Sequence, residues 1–144
     1  MNMSMRNKFA QQYANNYVET AVSEASPHKL VEMLYEGVIK SLTLAKVFIE
    51  QGNYAKKAES SNKALSIINS LRDGVDLEKG GDVASNLYEL YDYCYRRTIE
   101  ASSNNDVTIL EELLEHFKTL NDAWKQMPEN IKRVSKSQLE TIGA

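Results

Sequence analysis

The sequence predicts an all-α protein. We expect an antiparallel four-helix bundle over residues 26–127, an N-terminal docking segment over residues 1–25, and a mobile C-terminal tail with at most a short helix over residues 128–144. In four segments, apolar residues recur at spacings of three and four, which is typical of helices with one buried face. Turn residues separate these segments, and none shows the period-two alternation of a strand. Because each segment holds roughly twenty residues and the connections are short, the helices should pack side by side over about 30 Å.

Capping and turn residues define the first two helices. Ser26 before Pro27 predicts an N-cap and a first helical position, because the serine oxygen accepts a backbone N–H and proline has none to offer. The first helix should end at Gln51-Gly52, and Asn53 should cap a second helix that ends at Asp73-Gly74. The predicted apolar stripes are Leu30, Leu34, Val38, Leu42, Ala45 and Ile49 on the first helix, and Tyr54, Ala58, Ser61, Leu65, Ile68 and Leu71 on the second.

Capping and turn residues also define the last two helices. Gly80-Gly81-Asp82 predicts a turn with Asp82 as the N-cap, and Asn104-Asn105-Asp106 predicts another turn and cap. Pro128 should stop the fourth helix. The predicted stripes are Val83, Leu87, Leu90, Cys94 and Thr98 on the third helix, and Val107, Leu110, Leu114, Phe117, Leu120, Trp124 and Met127 on the fourth.

Composition indicates which partners the protein is expected to bind and in which cellular compartment it is expected to lie. The 17 basic and 20 acidic residues give a net charge of -3 without a long basic run, so nucleic acid is not an expected partner. Cys94 is the only cysteine, which excludes an intrachain disulfide and fits a reducing compartment. No apolar stretch reaches the roughly 18 to 20 residues of a membrane span, and the N-terminus lacks the apolar centre of a secretory signal. We therefore predict a cytosolic protein without membrane insertion.

The histidines do not fit the di-metal sites that many four-helix bundles carry. Such sites use Glu-x-x-His pairs, because this spacing directs both ligands at one centre. Ala25 lies three residues before His28, and Leu113 lies three residues before His116. We therefore expect no metal and no cofactor.

Glu112, Glu115 and His116 are the one grouping that could support acid–base chemistry. Because they flank an apolar stripe on a helix whose other face must be solvated, we interpret them as ordinary charged surface. Cys94 falls on the apolar stripe of the third helix, where a free cysteine behaves as a small hydrophobe. The sequence thus predicts a binding protein and not an enzyme.

The aromatic residues are the feature of the sequence that indicates a protein-binding function. Eight tyrosines and one tryptophan offer rigid contact area at low cost in side-chain entropy. For Tyr91 and Trp124 we favour a place in the core, whereas Tyr13 and Tyr17 lie outside the bundle and favour a docking role.

Three stretches resemble the signatures of the flagellar secretion chaperone family FliS. They are the run from Tyr13 to Gly37, Tyr-Asp-Tyr-Cys-Tyr-Arg-Arg from Tyr91 to Arg97, and Asp-Ala-Trp-Lys-Gln from Asp122 to Gln126. Cys94 stands where the family usually carries methionine, and Thr98 where it usually carries leucine. Both differences affect packing of the third helix more than function.

The resemblance implies a function. Members of this family bind the disordered C-terminal segment of flagellin in the cytosol, prevent its premature polymerisation and assist its delivery to the flagellar type III export gate. The alternative is a helical adaptor that binds another flagellar regulatory protein, and a third interpretation is a bundle enzyme or metal carrier. We expect a monomer or a weak homodimer.

The resemblance also suggests residues that bind the partner. On the second helix, one run matches the family pattern Lys-Ala-x-x-Ile-Ile-x-x-Leu. Its apolar residues cover a wider part of the helix surface than one core-facing stripe would require. The predicted partner-binding residues are Lys63, Ala64, Ile67, Ile68 and Leu71 of this run, Leu87 and Tyr91 of the third helix, and Tyr13 and Tyr17 of the N-terminal segment. If Ile67 belongs to the core, the groove lies elsewhere.

The N-terminal segment could itself occupy the partner's groove. Phe9, Tyr13 and Tyr17 lie at i, i+4 and i+8, so a short helix would present one aromatic stripe. Such a helix is too short to be stable alone in water and needs a surface to dock on. The alternative is a disordered tail, since termini are often loose.

Overall fold

The structure is a computed structural model that describes residues 26–127. Four helices make up the bundle: α1 spans Pro27–Glu50, α2 Tyr54–Asp73, α3 Gly81–Asn104 and α4 Val107–Lys125. Helix α1 packs against α2 and α4, and α3 packs against the same two helices, so the four form a ring in chain order. The prediction of an all-α four-helix bundle is confirmed. The predicted N-terminal segment and C-terminal tail lie outside the described residues.

Side-chain caps start three of the helices at the predicted positions. Ser26 accepts a hydrogen bond from the backbone N–H of Lys29 at 3.1 Å, and Asn53 caps α2 in the same way. Asp106 caps α4 by accepting from the N–H of Ile109 at 3.2 Å. Gly52 ends α1 with a φ of 70°, a left-handed conformation that costs glycine nothing. These capping and turn residues therefore determine where α1, α2 and α4 begin and where α1 ends.

The N-cap predicted at Asp82 is wrong. Helix α3 begins at Gly81, its N-cap residue is Gly80, and no side chain caps it. Asp76 instead organises the preceding loop, because its carboxylate accepts from the backbone N–H groups of Glu78 and Lys79 at 3.0 and 3.1 Å. Asp82 lies in the first helical turn, where a negative charge still interacts favourably with the helix dipole.

The core runs through the centre of the bundle and draws on all four helices. Its largest fully buried side chains are Val31, Val38 and Leu42 of α1, Ile68 and Leu71 of α2, Tyr91, Cys94 and Thr98 of α3, and Leu110, Leu113 and Phe117 of α4. Leu113 and Ile109 are buried although the predicted stripe omitted them, because α4 contacts both α1 and α3 and needs a wide apolar face. Tyr54 and Val83 were placed in stripes but are 53% and 73% exposed, since both lie in the first turn of a helix.

Thr98 and Cys94 are neighbours in this core on α3. Thr98 Oγ1 donates to the Cys94 carbonyl oxygen at 2.7 Å, which accounts for a buried threonine on an apolar face. Burial raises the pKa of the Cys94 thiol to about 12. Cys94 is therefore a packing residue, and the two departures from the family pattern lie together in the core.

Trp124 ties the end of α4 to the start of α1. Its ring stacks on that of His28, with centroids 4.9 Å apart and planes at 11°. Trp124 Nε1 donates to the His28 carbonyl oxygen at 2.8 Å, and His28 Nε2 lies 3.1 Å from the Trp124 carbonyl oxygen. Trp124 is 7% exposed, which confirms its predicted place in the core.

A candidate partner-binding groove between α1 and α2

Two rows of residues face each other where α1 packs against α2. Along α1 the row is Leu30, Leu34, Gly37, Ser41, Leu44 and Phe48, and along α2 it is Lys56, Ser60, Lys63, Ile67 and Ser70. Both rows keep the alternating spacing of three and four that places side chains on one face of a helix. We call the surface between them the α1–α2 groove.

Contacts at two levels show that these rows meet. Ile67 lies above the backbone of Gly37, since a Cβ added to this glycine would lie 3.0 Å from Ile67 Cδ1. Two to three turns away, Lys56 Nζ is 5.7 Å from the centre of the Phe48 ring. Small residues between these points keep the groove open, because Ser41 and Ser60 are buried at its floor.

The groove presents apolar side chains that are not fully buried. Leu44 is 39% exposed, while Leu30, Leu34, Phe48 and Ile67 are half-buried. Half-buried apolar side chains in a row of two or more helical turns match the anchors that an amphipathic partner helix needs. The stripe predicted for the first helix contained Leu30 and Leu34 of this row, but Leu44 and Phe48 were not predicted, although their spacing indicates a second apolar row beside the stripe.

Salt bridges cross the three other helix–helix seams of the bundle. Lys46 to Glu111 at 3.2 Å and Lys125 to Glu36 at 3.4 Å join α1 and α4, Arg72 to Asp92 at 2.9 Å joins α2 and α3, and Arg97 to Glu112 at 3.4 Å joins α3 and α4. Within residues 26–127 no salt bridge joins α1 to α2. Within these residues the α1–α2 seam is therefore held by side-chain packing, such as that of Ile67 on Gly37, and not by salt bridges.

The structure brings two of the predicted partner-binding residues into this groove. Lys63 is exposed on its edge, and Ile67 is half-buried against α1. Ala64, Ile68 and Leu71 are fully buried, because they lie on the face of α2 that points into the core. A partner could touch these three only if the helices separated, so their contact with a partner remains a prediction.

The predicted residues of α3 lie away from the groove. Leu87 is half-buried against the core, and α3 does not neighbour α1 in the ring. Tyr91 is 1% exposed, and its hydroxyl shares a 2.7 Å hydrogen bond with that of Tyr35. Burial raises the pKa of Tyr91 well above its usual value. Tyr91 thus occupies the core, as favoured, while Tyr13 and Tyr17 lie outside the described residues.

Glu112 and His116 take part in a polar network on the α3–α4 seam. Tyr93 donates to Glu112 at 2.7 Å, Arg97 contacts the same carboxylate, and His116 Nε2 lies 3.5 Å from it. The hydrogen bond from Tyr93 lowers the pKa of Glu112. A cavity of about 490 Å³ adjoins these residues and is lined partly by Leu90 and Leu120.

Among residues 26–127, no three His, Cys, Asp or Glu side chains are grouped as a metal ion would require. In the same range, no helix has the length and hydropathy of a membrane span.

The fold defines a small helical-bundle protein. The family model described as "Flagellar protein FliS" matches residues 9–131. The chain belongs to this FliS family.

Several relatives carry the name flagellar secretion chaperone FliS. That of Salmonella typhimurium is 47% identical over 116 residues, covering 80% of this chain and 86% of the relative. That of Vibrio cholerae is 41% identical over 118 residues, covering 82% and 87%. That of Bacillus subtilis is 34% identical over 110 residues, covering 76% and 81%. The resemblance found in the sequence is confirmed, and the family is one of flagellar secretion chaperones.

Proposed function

We propose that this protein is a cytosolic export chaperone that binds the disordered C-terminal segment of flagellin. It prevents premature polymerisation of flagellin and assists delivery to the flagellar type III secretion apparatus. Family membership supports a role in flagellar secretion. The observation that carries the proposal is the α1–α2 groove, a row of half-buried apolar side chains along a seam that no salt bridge crosses within the described residues.

The groove suits a client that folds as it binds. An amphipathic helix can place its residues i and i+7 against Leu44 and Ile67, because Ile67 is level with Gly37, which lies two turns from Leu44. Ordering the client costs part of the interaction energy, yet it lets a short segment bury a large apolar surface. A flagellin segment held in this way could not pack against another flagellin. The chaperone thereby prevents assembly without covalent chemistry, and we expect it to act as a monomer or weak homodimer.

Binding should depend on the C-terminal segment of flagellin. In a pull-down with the purified chaperone, full-length flagellin should be captured, whereas flagellin truncated before this segment should be lost. The isolated segment added in excess should compete with the full-length protein. Equal capture of both flagellins would contradict the proposal. Capture of a flagellar regulatory protein instead would favour the alternative, a helical adaptor.

The N-terminal segment should compete with the client for the groove. Deletion of residues 1–17 removes Phe9, Tyr13 and Tyr17 and should tighten flagellin binding severalfold, because the client no longer displaces a segment of the same chain. Isothermal titration gives the affinity, and a dye that binds apolar surface reports exposure in the free protein.

A second variant tests whether the effect of the deletion comes from the three aromatic side chains or from the loss of the segment as a whole. Changing Phe9, Tyr13 and Tyr17 to serine should reproduce the deletion. Unchanged affinity in both variants would indicate a tail without a docking role. Loss of flagellin binding would show that Tyr13 and Tyr17 contact the client directly.

A further inference from the structure

The part of the chain around the α1–α2 groove carries an excess of lysines. Residues 40–63 contain five lysines and two glutamates, although the whole chain carries a net charge of -3. Lys46 is engaged by Glu111 at 3.2 Å. Lys57 donates to the Ser102 carbonyl oxygen at 2.7 Å and to Asn105 Oδ1 at 2.9 Å, which are both uncharged acceptors. Of the three remaining lysines, Lys56 and Lys63 belong to the α2 row of the groove, and Lys40 precedes Ser41 of the α1 row.

These three lysines form no salt bridge within the described residues, although Glu36 lies one turn before Lys40. Lys40, Lys56 and Lys63 are exposed, and no carboxylate of residues 26–127 lies within 4.0 Å of any of them. Glu59 stands one turn before Lys63 on α2 but forms no salt bridge with it. Elsewhere on the bundle Lys46, Lys125 and Arg72 bridge one helix to the next, while Lys79 and Lys118 form no salt bridge within residues 26–127.

The lysines are spaced as a partner helix would require. Lys56 and Lys63 are seven residues apart, or about 10.5 Å along α2, which is two turns of any helix lying beside it. Ile67 faces Gly37, and α2 runs antiparallel to α1. Lys63 lies about one turn before Ile67 on α2, so it is level with Ser41, which lies one turn after Gly37 on α1. Lys40 stands next to Ser41 on the other helix, so the groove has cations on both edges.

We infer that the α1–α2 groove selects amphipathic helices that carry carboxylates on the edges of their apolar face, at a seven-residue spacing. Lys40, Lys56 and Lys63 determine this specificity, and the apolar row between them provides the affinity. Exposed charges accelerate association and exclude partners of like charge more than they add affinity. The inference deepens the proposed function, since it states which chemistry of the flagellin segment the groove recognises.

Charge reversal tests the inference. The variant with Lys40, Lys56 and Lys63 all changed to Glu should bind a fluorescent peptide of the flagellin C-terminal segment about tenfold more weakly at low salt. The difference from the unmodified protein should disappear near 1 M salt, where the screening length falls to about 3 Å. Changing the three lysines to Gln should give an intermediate loss. Circular dichroism checks that each variant folds.

Lys118→Glu is the matched control. Lys118 is also exposed, but it lies on α4 beside the α1–α4 seam. This variant should bind the peptide as the unmodified protein does. An equal loss in the control and in the triple variant, or a loss that salt does not relieve, would overturn the inference.

Two designed peptides test the charge preference of the groove independently of flagellin binding. One is an amphipathic helix with Glu at both edges of its apolar face, and the other has Lys at the same positions. The protein should bind the Glu peptide at least tenfold more tightly, and the triple Lys→Glu variant should reverse this preference. If the preference holds while the flagellin peptide fails to bind, the proposed function is wrong and the inference stands. Equal binding of the two peptides would refute the inference alone.

Discussion

Ile67→Asp is expected to weaken binding of the flagellin C-terminal segment by about 2–4 kcal/mol, because it places a charge at the centre of a desolvated apolar contact. The fold should survive. Ile67 is half-buried above Gly37 and is not one of the fully buried side chains of the core. Isothermal titration with the peptide measures the loss, and circular dichroism with thermal unfolding measures the stability of the variant.

Ile99→Asp provides the control for the effect of Ile67→Asp. Ile99 is an exposed isoleucine on α3, 43% accessible and outside the groove, so the same substitution there should leave peptide affinity unchanged. If Ile67→Asp binds normally but unfolds, Ile67 is a core residue and the binding groove lies elsewhere. A similar loss of affinity in both variants would also argue against a site between α1 and α2.

Tyr91→Ala is expected to destabilise the bundle by about 3–5 kcal/mol, because it leaves a large cavity at the centre of the core. Tyr91→Phe keeps the ring but leaves the buried Tyr35 hydroxyl without its partner at 2.7 Å, and should cost about 1–3 kcal/mol. Changing both Tyr35 and Tyr91 to Phe removes both polar groups and should restore most of the stability. Urea unfolding with a constant m-value gives the free energies.

The same variants separate packing from binding at Tyr91. Under conditions where Tyr91→Phe is folded, its affinity for the flagellin peptide should equal that of the unmodified protein. Reduced affinity in a fully folded Tyr91→Phe would assign the hydroxyl to the partner and contradict its place in the core. The fully buried Phe117 offers a comparison, since Phe117→Ala should cost a similar amount of stability with no hydrogen bond involved.

The sequence by itself determined the helices and most of their limits. Ser26, Asn53 and Asp106 cap their own helices through local hydrogen bonds, which depend only on neighbouring residues. The cap at Asp82 was wrong because Asp76, six residues earlier, organises that loop instead. Apolar spacing also located the core faces, since the burial of a helix face follows from its period.

Only the tertiary structure decided which residues of α2 reach the surface. Lys63, Ala64, Ile67, Ile68 and Leu71 form one motif in the sequence, yet α2 packs so that Ile67 and Lys63 line the groove while the others are buried. Helical spacing gives relative directions around a helix but not which neighbour each direction meets. That depends on how α1 and α3 pack on either side of α2, and those contacts join residues far apart in the chain.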